Sequence, residues 1–408
     1  MTAIDELRRL KEETVKAARA SGDWIGIVDV LAYQYSDKTH FIFELLQNAD
    51  DAEATEVIFD LHDNRLEFSH NGKRLFTDKD LQSIVTIGDS SKRSDYTKIG
   101  KHGIGFKAVF AYTHTPRVHS GEKHFDIVDV IIPIPLKEIP QNLAQWETLF
   151  KFPFDTDAIP AERRFRNLVS AKDAYSSIQE ALQKLSMRTP LFLRHIKHIS
   201  WKINGDIQRK VIRDIEEIPN QNAHRIKISD KDNAEYWIVF QRDIVVDAGD
   251  ELDDEGKPPR GTVKVAFLEK NGHIVPAENT KLVVFFPTAV ETKLGFIIHG
   301  PFKTTKARDN IKGQEDGNRH SDPANNQIVM AAAKLAADSL STLRDLGLLN
   351  VASYNALPLR AQDFPEGSLF RPVYDKVREA LKTKELLLRM EAILLKPMRP
   401  SWHAAKNW

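Results

Sequence analysis

Hydrophobic and polar positions along the chain fall into three regimes. Residues 1 to about 60 carry helical spacing. An amphipathic stretch reaches Arg19, Ser21-Gly22 breaks it, and a longer helical region follows in which Phe41, Leu45, Ala49 and Ala52 share one side. Alternation then takes over: Glu56 to Leu61 and Arg65 to Phe68 suit short strands, with Asn71-Gly72 as a turn. Strand-like pieces run from Phe125 to Ile134 and from Thr148 to Phe154, before a helical stretch through Leu182 and Leu185. From Leu191 to Phe302 the chain is mostly β, with strands predicted at Ile196–Ile203, Arg225–Ile228, Tyr236–Phe240, Thr262–Leu268, Leu282–Phe286 and Gly295–Gly300. Their punctuation suits an antiparallel or mixed sheet. Asp247 to Gly261 reads as a surface loop, residues 324 to 347 as a helix, and 370 to 396 as another with a leucine-rich face. No repeat at solenoid period is visible.

Composition narrows the function without choosing it. At 408 residues the chain has room for two to three domains. Lys plus Arg equals Asp plus Glu at 58 each, which argues against a protein devoted to coating nucleic acid. Net charge does not report distribution, so a local basic groove, and nucleic acid as a partner, stay open. The chain has no cysteine, which excludes disulfides, thiolate zinc sites and cysteine nucleophiles. The N-terminus has no apolar signal core, and no run approaches the ~18 apolar residues of a membrane span. A soluble, cytoplasmic protein without a membrane partner is the expectation.

Two motifs carry candidate chemistry. In Phe41-Ile-Phe-Glu44-Leu-Leu-Gln-Asn48-Ala-Asp-Asp51-Ala52, helical geometry puts Glu44, Asn48 and Asp51 on one face. A carboxylate can take a proton from water and an amide oxygen can ligate Mg²⁺, the two groups that hydrolysis needs beside a γ-phosphate. Alternatively the stripe, continued by Gln47 and Asp50, is the solvated side of an amphipathic helix. The second motif, Ile99-Gly100-Lys101-His102-Gly103-Ile104-Gly105-Phe106-Lys107, lets backbone N–H groups approach an anion, with a helical run after Gly105. It matches neither a Walker A loop nor a dinucleotide fingerprint. His114, His119 and His124 lack the spacing of a metal site and read as loop histidines.

Together the motifs resemble the ATP site of the GHKL superfamily, which takes in gyrase, heat-shock chaperones, histidine kinases and MutL. Glu44-Leu-Leu-Gln-Asn-Ala-Asp-Asp-Ala, Ile87-Gly-Asp-Ser-Ser-Lys92 and Gly103-Ile-Gly-Phe-Lys look most like its sacsin-type and No-vein-type branch. The resemblance implies an α+β chain in three parts. Residues 1–190 would be a GHKL (Bergerat-type) α/β sandwich with helices on one face of a mixed sheet. Residues 191–347 would be a β-rich, transducer-like middle domain, and 348–408 a C-terminal helical segment.

The resemblance also implies roles. Glu44 would be the general base and Asn48 the Mg²⁺ ligand, with Asp51 behind it. Gly100, Lys101, His102, Gly103, Ile104, Gly105 and Phe106 would wrap the phosphates, with Ser91 and Lys92 in the lid segment. Lys107 or Lys92 would offer charge to phosphate oxygens. Asn71, Gly72 and Thr148 would lie at the adenine end, although Thr148 reads equally as a plain strand residue. One departure stands out: relatives usually carry an Asp that reads the adenine amino group, and here His70 stands in its place.

Gly300-Pro-Phe-Lys-Thr-Thr-Lys306-Ala-Arg308 resembles the middle-domain loop whose basic residue reaches the γ-phosphate. Arg308 would take that role, or else pair at the surface with Asp309 or Asp316. The implied function is slow, Mg²⁺-dependent ATP hydrolysis used as a conformational switch, in a chaperone-like, DNA-processing or antiviral-defence setting. A homodimer through the N-terminal domain, a protein client or a missing C-terminal partner domain would go with it. The alternative is a nucleotide-binding scaffold or sensor with little hydrolysis. A histidine kinase fits least, because no phosphoacceptor helix precedes the motifs.

Overall fold

The computed structural model describes residues 3–24, 26, 28, 40–86, 105–137, 139–140, 146–155, 169–219, 221–246, 257–305, 310–313, 322–384 and 386. Helix α1 (Ala3–Ala20) opens the chain and α2 (Phe41–Asp51) follows. The apolar stripe of α2 buries Phe41, Ile42, Leu45, Leu46 and Ala49. The helix stops where Glu53 adopts a left-handed backbone (φ 61°) and returns its N–H to the Asp50 carbonyl at 3.0 Å. A capping box, in which Thr77 and Asp80 satisfy each other's backbone N–H, starts α3 (Asp78–Ile84). The helices α4 (Ala171–Gln183), α5 (Pro323–Asp345) and α6 (Arg371–Thr383) follow later in the chain.

The strands are β1 (Glu56–His62), β2 (Arg65–His70), β3 (Arg117–Ser120), β4 (Lys123–Val128), β5 (Ile132–Pro135) and β6 (Thr148–Pro153), then β7 (His198–Ile203) and β8 (Asp206–Glu217). They continue as β9 (Ala223–Ser229), β10 (Ala234–Val245), β11 (Arg260–Lys270), β12 (His273–Val275), β13 (Lys281–Val284), β14 (Phe286–Glu291) and β15 (Ile297–His299). Among the described residues they form one sheet in the order β14-β13-β15-β11-β10-β9-β8-β7-β1-β2-β6-β3-β4-β5, with β12 beside β11. The pairs β1–β7 and β13–β15 are parallel, so the sheet is mixed and the chain is α+β. One core gathers α2, β1, β2, β6 and Phe106–Tyr112; the other packs β10, β11 and β15 against α5 and α6.

Three expectations change. The single stretch 125–134 is two strands, broken where Asp129 and Val130 take φ of 47° and 67°. The twelve-residue β8 was not predicted, because only Val211 and Arg213 along it are buried and its sequence reads as polar. His119 and His124 are a cross-strand pair on β3 and β4, not loop residues, with Nδ1 atoms 3.2 Å apart. The expected loop at 247–261 lies outside the described residues up to 256, as does the expected helix beyond residue 386. No helix among the described residues is long and apolar enough to cross a membrane.

Candidate functional site

The antiparallel pairing of β1 with β2 runs from Val57 opposite His70 to His62 opposite Arg65. On its other side β2 pairs with β6, which sets His70 directly opposite Thr148. Residues directly opposite share a face of the sheet. Both side chains are buried, and both line a cavity of about 680 Å³. Its apolar walls include Leu75, Ile84, Phe106 and Phe150, while Asn48 and Asp51 enter from α2 and Arg74 and Arg194 from the rim.

The α2 face is divided more finely than its spacing suggests. Asn48 is exposed at the cavity, and Asp51 takes an ion pair from Arg194 Nη2 at 2.6 Å. Glu44 is 3% exposed, with Oε1 3.7 Å from His40 Nε2, and is not part of the described cavity lining. Gln47 and Asp50, read as a continuation of a solvated face, are instead buried. Asp50 accepts the backbone N–H groups of Arg194 (2.9 Å), His195 (2.8 Å) and Ile196 (3.0 Å). It thereby ties the cavity helix to the segment that enters β7. The buried Arg213 lies in its field, its own charge weakened to a pKa of about 10 by burial and opposed by Asp50. Lys264 is pushed down to about 8 by burial first and then by Arg213, again with Asp50 opposing.

Local geometry around Asn71 and Gly72 gives both a part in the fold itself. The Asn71 amide oxygen accepts the N–H groups of Thr55 and Glu56, each at 2.9 Å, and its amide nitrogen donates to Thr55 Oγ1. It locks the α2–β1 turn and does not line the cavity. Gly72 packs so closely that an added Cβ would lie 2.7 Å from the Ala52 oxygen and 2.8 Å from His70 Nδ1. Its N–H donates to His70 Nδ1 at 3.1 Å. Burial pushes the His70 imidazole down to about 4, so it is neutral at neutral pH.

Thr148 Oγ1 and Ser120 Oγ share a hydrogen bond of 2.7 Å, and Ser120 also accepts the Phe76 N–H at 3.2 Å. The run after the glycine loop forms a 3₁₀ helix over Gly105–Ala111, which places Phe106 in the cavity wall. Lys107, expected to offer charge to phosphate oxygens, is engaged within the fold. Its Nζ is buried and donates to the carbonyls of Ile84 (2.6 Å) and Val130 (2.7 Å), and burial brings its pKa down to about 7. Ser91, Lys92, Gly100, Lys101, His102, Gly103, Ile104 and Arg308 lie outside the described residues. Among the described residues no group of three or more His, Asp or Glu side chains is placed to hold a metal ion, although Asn48 offers an amide oxygen at the cavity.

Asp50, Ser120 and Arg194 were missed from sequence. The first was hidden by its place on a polar stripe, and the other two belong to segments that only the sheet brings to α2 and β6.

A mixed sheet, a carboxamide-bearing helix over it and a cavity floored by a β2–β6 pair are consistent with the GHKL resemblance of the motifs. Within that class the likeness is to the sacsin and No-vein branch. Residues 68–134 match the Sacsin domain. Protein NO VEIN of Arabidopsis thaliana is 26% identical over 304 residues, covering 68% of this chain and 10% of that protein. Sacsin of Homo sapiens is 35% identical over 108 residues, covering 22% of this chain and 2% of that protein. The chain thus spans a small part of these relatives. Among solved structures, the B-subunit of DNA gyrase from Myxococcus xanthus aligns over 85% of this chain and 90% of its own, with 9% identity and a TM-score of 0.36. The ATPase domain of the Aquifex aeolicus mismatch repair endonuclease MutL aligns over 64% of this chain and 86% of its own, at 9% identity and a TM-score of 0.28. At these scores the structural likeness carries no weight beside the sequence matches.

Proposed function

We propose that this protein binds ATP with Mg²⁺ and hydrolyses it slowly as a conformational switch. One observation carries the reading: Asn48 and Asp51 from α2, the His70–Thr148 pair and Phe106 all meet around a single cavity. The apolar walls suit a purine ring, and the carboxamide end suits a hydrated Mg²⁺ that bridges phosphates. Glu44, one turn before Asn48, is the general base of the reading, activating water at the phosphate end. The glycine loop wraps the phosphates and Arg308 answers the γ-phosphate from the β-rich part. Hydrolysis then resets closure of the lid and docking of that part, which makes turnover slow. The switch works in the cytoplasm, and ATP-dependent pairing of two copies accompanies it.

A titration of the full chain with ATP, with and without Mg²⁺, tests the binding half. ATP should raise the unfolding temperature only with Mg²⁺ present, and Asn48→Ala should abolish the Mg²⁺ dependence. A shift that is the same with and without Mg²⁺ in the unmodified chain would contradict the role given to Asn48. A scaffold that hardly hydrolyses is the second reading, favoured by His70 at the position where the GHKL resemblance implies a carboxylate.

A further inference from the structure

The base end of the cavity offers an unusual hydrogen-bonding edge. A backbone N–H can only donate, so the Gly72 N–H directed at His70 Nδ1 requires a lone pair on that nitrogen. The ring proton therefore resides on Nε2. The ring is held in this tautomer from behind, because Gly72 fits against it with no room for a Cβ. Its depressed pKa keeps the second proton off at neutral pH. Nδ1 is thus consumed within the fold, and the imidazole lining the cavity has a donor left to give and no acceptor.

Its cross-strand neighbour completes the edge. The Ser120 hydroxyl accepts from Phe76 N–H and has its own proton to donate to Thr148 Oγ1. The Thr148 hydroxyl can therefore either donate or accept toward the cavity. Three of the carboxylates nearby are engaged. Asp50 holds three backbone N–H groups, Asp51 pairs with Arg194, and Asp80 closes the capping box of α3.

We infer that His70 makes this site select purines bearing a 6-oxo group, such as hypoxanthine or guanine, over the 6-amino purine adenine. The inference rests on the reading that the cavity holds a purine nucleotide. A 6-oxo purine presents an acceptor oxygen beside an N1–H donor, which matches Nε2–H of His70 next to the Thr148 hydroxyl. Adenine presents a donor amine beside an acceptor nitrogen, and its amine would meet the imidazole donor to donor. An unmatched buried hydrogen bond of this kind is worth about tenfold in affinity. ATP remains a ligand of the site, bound more weakly than its 6-oxo counterpart.

The test uses the full chain with Mg²⁺ and two diphosphates, which do not turn over: ADP and IDP, which differ only in the 6-position and the N1 proton it carries. IDP should bind about tenfold more tightly than ADP. His70→Asp, which replaces a donor with an acceptor, should reverse that order, and His70→Gln, which keeps an N–H donor, should retain it. Nitrogen-15 NMR of the unliganded protein should find the proton on Nε2 of His70 and none on Nδ1. Tighter binding of ADP than IDP by the unmodified chain would overturn the inference while leaving the proposed function standing. So would a proton on Nδ1, which needs no variant to fold. Failure to bind either diphosphate or ATP would overturn both.

Discussion

On the β1–β2–β6 side of the sheet, buried and half-buried polar side chains hold defined backbone groups. Asp50 takes three N–H groups, Lys107 two carbonyls and Asn71 the turn into β1. On the β10–β11 side the interior is largely shape: Ile238, Val263, Val265 and Phe267 pack with Ile328, Ala332 and Leu340 of α5. Apolar packing tolerates exchange of one hydrophobic side chain for another of like volume, whereas a buried carboxylate with three donors tolerates almost none. The first side is thereby preorganised around its cavity, and the second is a scaffold against which it is braced.

Two truncations of similar cost should separate these roles. Asp50→Ala leaves three buried N–H groups and the nearby Arg213 uncompensated, and should cost about 3–5 kcal/mol. Phe267→Ala, by opening a cavity, should cost about 3–5 kcal/mol as well. Denaturant unfolding with nucleotide titration on the folded fraction would show affinity lost in the first variant and kept in the second. Equal effects on affinity would erase the distinction between the two sides.

A smaller effect should follow from His70. Its folded pKa of about 4 lies below the ordinary value of 6.5, so between these values the unfolded chain binds a proton that the native one refuses. The contribution is fully present above pH 6.5 and is lost as pH falls toward 4, for a total of about 3 kcal/mol. Unfolding free energies measured across that window should show a slope that loses one proton in His70→Gln. An unchanged slope would mean that the imidazole is not buried as a neutral ring.

Legibility in the sequence follows the same division. Strand β1 alternates cleanly because one face is buried, and the α2 stripe is readable because four-residue spacing repeats without interruption. What escaped was the use made of polar residues. Nothing local distinguishes Asp50, which serves a segment 144 residues away, from Asp51, which faces the cavity. Asn71 and Lys107 stand in motifs whose resemblance implies ligand contacts, yet their hydrogen bonds go to backbone that the fold brings to them. On the other side, β8 hid because its strand is held by ladder bonds to β7 and β9 with only two buried side chains. Periodicity reports burial, so a strand with little burial leaves little trace.

The most direct test of the central claim is phosphate release from ATP with Mg²⁺, measured for the unmodified chain beside Glu44→Ala. Turnover that requires Mg²⁺ and falls about 100-fold or more in the variant, while ATP still binds, is the predicted result. Turnover that persists in Glu44→Ala, or an unmodified chain that binds Mg²⁺-ATP without releasing phosphate, would contradict it.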